Sequence, residues 1–325
     1  MENNSKKYSL KEEGLTVLSL CDGMSCGHIA LDRVGCKVNK YFAAEIKDIG
    51  IKVTKDNYPN TIHIGDVNKI TYKDRVLHTE IGDFETEIDL VIFGSPCQSF
   101  SIAMKTEHRV GLEDKEKSGL FLECHRILKE VNPTYFLMEN VASMKNEDRD
   151  VISSMMGVKP IRINSEIVAP ALRDRYYWTN IPTIEPLKRK NINLQDILTE
   201  GYTNRDKGHC LVVVDCRPAT TPIKMFHRYY YKGFGNLIFK SKEQFEICAR
   251  YYDEHYRGMK AKDIPVGETD IFDGVRYLNQ TEIERCQTIP EGYTKCLTRN
   301  EAADVCGDGW TIDVIAWFFS ALSQV

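Results

Sequence analysis

The run Leu15-Thr16-Val17-Leu18-Ser19-Leu20, closed by Asp22-Gly23-Met24-Ser25-Cys26-Gly27, carries the first decision about the fold. Six uncharged residues read as a buried strand, the glycine-bearing turn ends it, and His28 to Val34 reads as a helix. The unit then recurs along the chain. Val38 to Ala44 ends at Glu45, and Ile62-His63-Ile64 leads into Gly65-Asp66-Val67. Ile88 to Phe93 ends at Gly94-Ser95-Pro96-Cys97, Leu120 to Glu130 is helical in pattern, and Tyr135 to Met138 ends at Glu139-Asn140. Such alternation predicts an α/β fold, a doubly wound and mostly parallel sheet with helices on both faces. Ligands of such sheets sit at the carboxyl ends of the strands, where the suspicious polar groups fall.

From Pro182 onward the pattern gives way to short strands and polar turns. Regular structure is expected again at Thr281 to Cys286 and in a last helix at Ile312 to Leu322. The boundaries follow: 1–182, a smaller irregular module at 183–275, and 276–325 returning to the first domain. The chain has 325 residues, 42% hydrophobic and 28% charged, which suits a globular protein and excludes a collagen-like or disordered one. Its longest apolar stretch near the end, Val314 to Leu322, falls far short of the ~20 residues of a membrane span. The eleven cysteines include no C-x-x-C pair, so a reduced, cytoplasmic protein without a metal site is expected. The net charge of −4 is unevenly spread. Between Pro186 and Lys262 stand 15 Lys or Arg, 8 Asp or Glu and seven tyrosines. Cations interleaved with aromatics suit a nucleic-acid surface, and a solvated, tyrosine-rich surface would look the same.

Several side chains invite chemistry. The glycine turn can bring backbone amides to a ligand at a helix N-terminus, although it lacks the full G-x-G-x-x-G spacing and a plain turn would read alike. Glu45, ending the second strand, is placed to accept from a ribose diol, and Asp66, ending the third, from an adenine amine. Cys97 follows a proline after a buried strand, a place for an exposed nucleophile as well as for a small core residue. Glu139 ends the next strand. Arg173 and Arg175, two apart on a strand, would share a face and could orient a base or lower a thiol pKa, or form surface salt bridges.

In order, these segments resemble the DNA (cytosine-5) methyltransferase family: 16–27, Glu45, Gly65-Asp66-Val67, Ser95-Pro96-Cys97-Gln98, Glu139-Asn140-Val141, Arg173-x-Arg175 and Gly307-Asp308-Gly309-Trp310-Thr311. Asp22-Gly23, Arg173-Asp174-Arg175-Tyr176-Tyr177-Trp178 and Gly307-x-x-Trp310 look most like the de novo-type branch and its phage and bacterial relatives. The resemblance implies the Rossmann-like fold of S-adenosylmethionine-dependent methyltransferases, with 1–182 catalytic and 183–275 recognising the target. It implies double-stranded DNA as partner, with a cognate restriction endonuclease or none. Cys97 would add to carbon 6 of a flipped-out cytosine, with a lid from Gln98 to Lys117 closing behind the base. Glu139 would bond the ring nitrogen and exocyclic amine, Arg175 would hold the base and assist, Asn140 would shape the loop, and Arg173 would count with them among the catalytic residues. Asp22, Gly23, Ser25 and Gly27 would line the methionine part of S-adenosylmethionine, and Glu45 and Asp66 would take the ribose and adenine. Ile46 and Val67 would flank the ring, with Leu120 and Trp310 closing the pocket, and Arg276 would brace the recognition domain. Cys21 replaces the usual phenylalanine, Ala171 a glutamine, and Asp308 an asparagine near the expected cofactor carboxylate. The alternatives are a tRNA cytosine-5 methyltransferase, a cytosine-5 modifying enzyme with an altered cofactor, and a non-enzymatic binder that keeps the fold.

Overall fold

The computed structural model describes residues 13–95, 119–183, 185–211, 219, 221–260, 262–264 and 270–324. Cys97 and the whole of 96–118 lie outside the described residues, as does Cys216. The chain divides into two compact units, one of 1–164, 174–187 and 312–325, the other of 165–173 and 188–311.

The first unit is the α/β sheet. Its early elements are β1 (Leu15–Leu20), α1 (Cys26–Arg33), β2 (Val38–Ala44), α2 (Asp48–Asn57) and β3 (Ile62–His63). A meander of β4 (Thr71–Lys73), β5 (Val76–Thr79) and β6 (Gly82–Glu85) follows, a separate antiparallel sheet absent from the sequence expectation. Then come β7 (Leu90–Phe93), α3 (Gly119–Val131), β8 (Tyr135–Val141), α4 (Asn146–Met156), β9 (Ile161–Asn164) and β10 (Asp174–Thr179). The central sheet runs β3-β2-β1-β7-β8-β10-β9, parallel except that β10 is antiparallel to both neighbours. The strand order reverses between β1 and β7, the position at which open α/β sheets form their ligand crevice.

Strand alternation sorts side chains onto two covered faces. Leu18, Leu20, Phe42, Val91, Phe93 and Met138 join Phe121, Cys124 and Ile127 of α3 and Ile152 of α4 in one core. The i, i+3, i+6 spacing of the α3 residues makes that helix amphipathic. On the opposite face α1 lies so close that a Cβ on Gly27 would be 2.1 Å from Ile92 Cδ1. There α9 (Ile312–Phe319) brings Phe318 to Tyr177, with ring centroids 5.1 Å apart, and Asp313 pairs with Arg33 at 2.5 Å. β8 runs three residues beyond Met138, because β10 pairs with it as far as Val141.

The second unit is more helical than its sequence suggests. It holds α5 (Pro222–Phe226), β11 (Leu237–Ile238), α6 (Lys242–His255), β12 (Arg276–Tyr277), α7 (Gln280–Cys286) and α8 (Arg299–Asp308). Ser241 caps α6 by accepting from the Gln244 amide at 3.1 Å, and Phe245, Cys248 and Tyr252 give it an apolar edge. Phe226 sits in an aromatic core, 5.0 Å from the Tyr230 ring and 5.2 Å from Phe272. Of the expected segment 276–325, residues 276–311 belong to this unit and 312–325 to the first.

Candidate functional site

The polar ends of β1, β2, β3, β7 and β8 gather along one edge of the central sheet because these strands are parallel. Asp22 is a buried acid of that edge. Its carboxylate is turned into the protein, with Oδ2 accepting from Ser25 Oγ at 2.5 Å and Oδ1 from Tyr41 OH at 2.9 Å. Ser25 Oγ also lies 3.0 Å from Thr54 Oγ1 of α2. Burial pushes the Asp22 carboxyl up to about 6, against the hydrogen bonds from Ser19, Ser25 and Tyr41. Tyr41 is itself stacked on His28, 4.5 Å between ring centroids, and His28 on Tyr58 at 3.8 Å. The side chains of Asp22 and Ser25 are therefore spent on shaping the turn, and Gly27 on the contact of α1 with β7.

Glu45 ties the ends of β1 and β2 together. Its Oε2 accepts from the Gly23 amide at 2.7 Å, and its Oε1 from the amides of Ile46 and Lys47, both at 2.8 Å. Three acceptor positions are used of the roughly four a carboxylate offers. Ile46 beside it is 70% exposed, an apolar face standing open next to an acid. At the end of β3, Asp66 accepts from the Asn68 amide at 3.0 Å and side chain at 2.8 Å, while Val67 is buried in the core. Leu120, on the first turn of α3, packs partly buried against the same core.

At the other side of the switch point, Glu139 and Arg175 form an ion pair, Nε to Oε1 at 2.7 Å, with only 9% and 13% of the side chains exposed. Asn140, 1% exposed, donates from Nδ2 to Ser95 Oγ at 3.2 Å and accepts the Val141 amide at 2.8 Å. It thus clamps the last described residue before Cys97.

Arg173 departs from the expected shared strand face. β10 begins at Asp174, and Arg173 belongs to the second unit, where its Nη1 donates to Gly307 O at 3.0 Å and meets Cys210 Sγ at 3.3 Å. Cys210 is therefore partnered by an arginine. Trp310 is also in the second unit, 8% exposed, next to Thr311, whose hydroxyl donates to Gln287 Oε1 at 2.7 Å. Arg276 pairs with the fully buried Glu282 at 2.7 Å. Among the described residues no group of His, Cys, Asp and Glu is arranged to hold a metal ion, and no helix is long and apolar enough to cross a membrane.

Tyr41 and Thr54 escaped the sequence reading, which quoted Ser95 only as part of the Ser95-Pro96-Cys97-Gln98 segment. The one legible signal was Tyr41, a polar aromatic within the apolar second half of β2.

Residues 15–157 match the family model described as C-5 cytosine-specific DNA methylase. The chain is similar to the type II methyltransferase M.NlaIV of Neisseria lactamica, 39% identical over 116 residues, which are 36% of this chain and 24% of that one. With the type II methyltransferase M1.ScrFI of Lactococcus lactis subsp. cremoris it shares 26% over 309 residues, 86% of this chain and 70% of the relative. It thus spans about a quarter of one relative and more than two thirds of the other. The solved structure of the Entamoeba histolytica methyltransferase EhMeth has the same fold, with a TM-score of 0.63 at 16% identity over 95% of this chain and 99% of that one.

Proposed function

We propose, for a chain whose residues 15–157 belong to the C-5 cytosine-specific DNA methylase family, that it methylates carbon 5 of a flipped-out cytosine in double-stranded DNA. The observation that carries this reading is the buried Glu139–Arg175 pair beside the Asn140–Ser95 clamp. A carboxylate and a guanidinium meet there at the sheet edge, and Asn140 beside them holds Ser95, two residues before Cys97 in the sequence.

Cytosine is too electron-poor at carbon 5 to attack a methyl donor until a nucleophile adds at carbon 6. The Cys97 thiolate makes that bond, and the electron pair of the 5,6 double bond moves toward carbon 5. Glu139 accepts from the exocyclic amine and holds a proton at ring nitrogen 3, which offsets the charge that develops. Arg175 keeps the carboxylate in place and supplies the compensating positive charge. S-adenosylmethionine, when bound, supplies the electrophilic methyl group. A base then removes the carbon 5 proton, and expulsion of Cys97 restores the ring as 5-methylcytosine.

The donor set at the other half of the edge fits that cofactor. Glu45 keeps an acceptor position for a ribose hydroxyl, exposed Ile46 offers a flat apolar contact, and Asp66 an acceptor for an amine. The second unit, with its basic, tyrosine-rich segment, would contact the duplex. As a DNA-modifying enzyme it would work in the cytoplasm, beside a cognate endonuclease or alone.

A duplex carrying 5-fluorodeoxycytidine tests the reading, since fluorine at carbon 5 cannot leave as a proton does. Incubation with S-adenosylmethionine should leave a stable adduct of protein, duplex and one methyl group, mapped to Cys97 by peptide mass. No adduct on any duplex, with one formed on fluorinated transfer RNA, would move the substrate to RNA.

A further inference from the structure

We propose that Glu80 is a positioning residue for the adenine side of the cofactor pocket, an inference that rests on the reading of Asp66 given above. Glu80 stands in the turn between β5 and β6, outside the alternating strands and helices. Its Oε2 accepts from the backbone N–H of Asp66 at 3.2 Å, and its Oε1 pairs with Lys69 Nζ at 2.5 Å. The approach is possible only because residue 65 has no side chain. A Cβ on Gly65 would lie 2.7 Å from Glu80 Oε2, and Gly65 also takes a φ of +80°.

Asp66 is thereby held from two sides. Asn68 fixes its carboxylate through Oδ1, and Glu80 fixes its backbone. β3, only two residues long, ends at His63 and cannot itself set the direction of residue 66. Glu80 is exposed, so its contacts add little to global stability. Their effect falls on where Asp66 points, hence on binding more than on folding. The meander, foreign to the alternating pattern, is accordingly a brace for one loop of the pocket.

Calorimetric titration with S-adenosylhomocysteine separates the roles, using wild type, Glu80→Ala, Glu80→Gln and Lys69→Met, each with its melting temperature. Loss of one hydrogen bond predicts about fivefold weaker binding for Glu80→Ala at unchanged Tm. The amide oxygen of Glu80→Gln still accepts, and Lys69→Met leaves the Asp66 contact intact, so both should bind within about twofold of wild type. Equal binding by Glu80→Ala and wild type would overturn the proposal, as would an equal loss in Lys69→Met, which would assign the effect to the ion pair. Wild type that fails to bind S-adenosylhomocysteine at all would instead overturn the cofactor reading, and this proposal with it.

Discussion

Arg175 reaches Glu139 diagonally across the β8–β10 ladder, Nε to Oε1 at 2.7 Å, with Tyr177 and not Arg175 opposite Glu139. Residues 139 and 141 share a sheet face, as do 175 and 177, so the diagonal places both charges on one side. Because β10 runs antiparallel, the start of β10 arrives where β8 ends. A single reversed strand thus delivers the arginine to the sheet edge. Glu139→Gln should lower kcat by about 10²- to 10⁴-fold, the range for a lost general acid–base group, and because its amide oxygen can still accept from Arg175 it should cost less stability than removing the arginine. Arg175→Met strands a buried carboxylate and should destabilise the protein by about 3–5 kcal/mol as well. Steady-state kinetics and urea denaturation of the two variants separate these effects.

Asn140 holds Ser95, two residues before Cys97 in the sequence. Removing it in Asn140→Ala frees Ser95 and leaves the Val141 amide without its acceptor. The loss of stability should be about 1–3 kcal/mol. With Ser95 released, kcat on DNA should fall while the Kd for S-adenosylhomocysteine stays as in wild type. A change in Kd with constant kcat would place Asn140 in the wrong half of the site.

Asp22 gives the protein a pH-dependent weakness. Its carboxyl titrates near 6 in the fold and at 3.8 in the reference state, so between those pH values the native form holds a proton that the unfolded chain has released. Stability therefore falls as pH rises through that window and stays lower above it, by about 3 kcal/mol for a shift of about two units. Asp22→Asn removes the penalty and should stabilise the fold more at pH 7.5 than at pH 4.5. Urea melts at the two pH values check this; equal gains would contradict it.

The Arg276–Glu282 pair works in the opposite direction. Burial pushes the Glu282 carboxyl up, but Arg276 and the amides of Asn279 and Thr199 outweigh it and hold the group below its ordinary 4.5. Its contribution is present above about pH 4.5 and is lost as pH falls through the folded value. Arg276→Met should cost about 3–5 kcal/mol at neutral pH, by leaving Glu282 buried without its partner, and less in acid. Denaturation at pH 7 and pH 4 gives the comparison.

The sheet was legible because its strands are short, apolar and closed by turns: Leu15–Leu20, Val38–Ala44 and Leu90–Phe93 all lie where hydrophobic runs put them. The meander was not, because its first turn is made by Asp74 and Arg75, both at positive φ, without the Asn-Gly or Asp-Gly that announces a tight hairpin. Helix α6 was hidden by its charges, since Lys, Glu and Arg fill its exposed faces and Phe245, Cys248, Ala249, Tyr251 and Tyr252 mark the buried one. Arg173 and Arg175 look alike in sequence. Tertiary contacts separate them, because Gly307 and Cys210 claim Arg173 before the strand begins. The inward turn of Asp22 was equally invisible, as it depends on Tyr41, nineteen residues away.

The most direct measurement is nucleoside mass spectrometry of duplex DNA incubated with the protein and S-adenosylmethionine, with Cys97→Ala in parallel. The account predicts deoxycytidine heavier by one methyl group with wild type and unmodified deoxycytidine with Cys97→Ala. Methylation that survives in Cys97→Ala would contradict the covalent route, and unmodified deoxycytidine with the wild type would contradict the proposed activity on DNA.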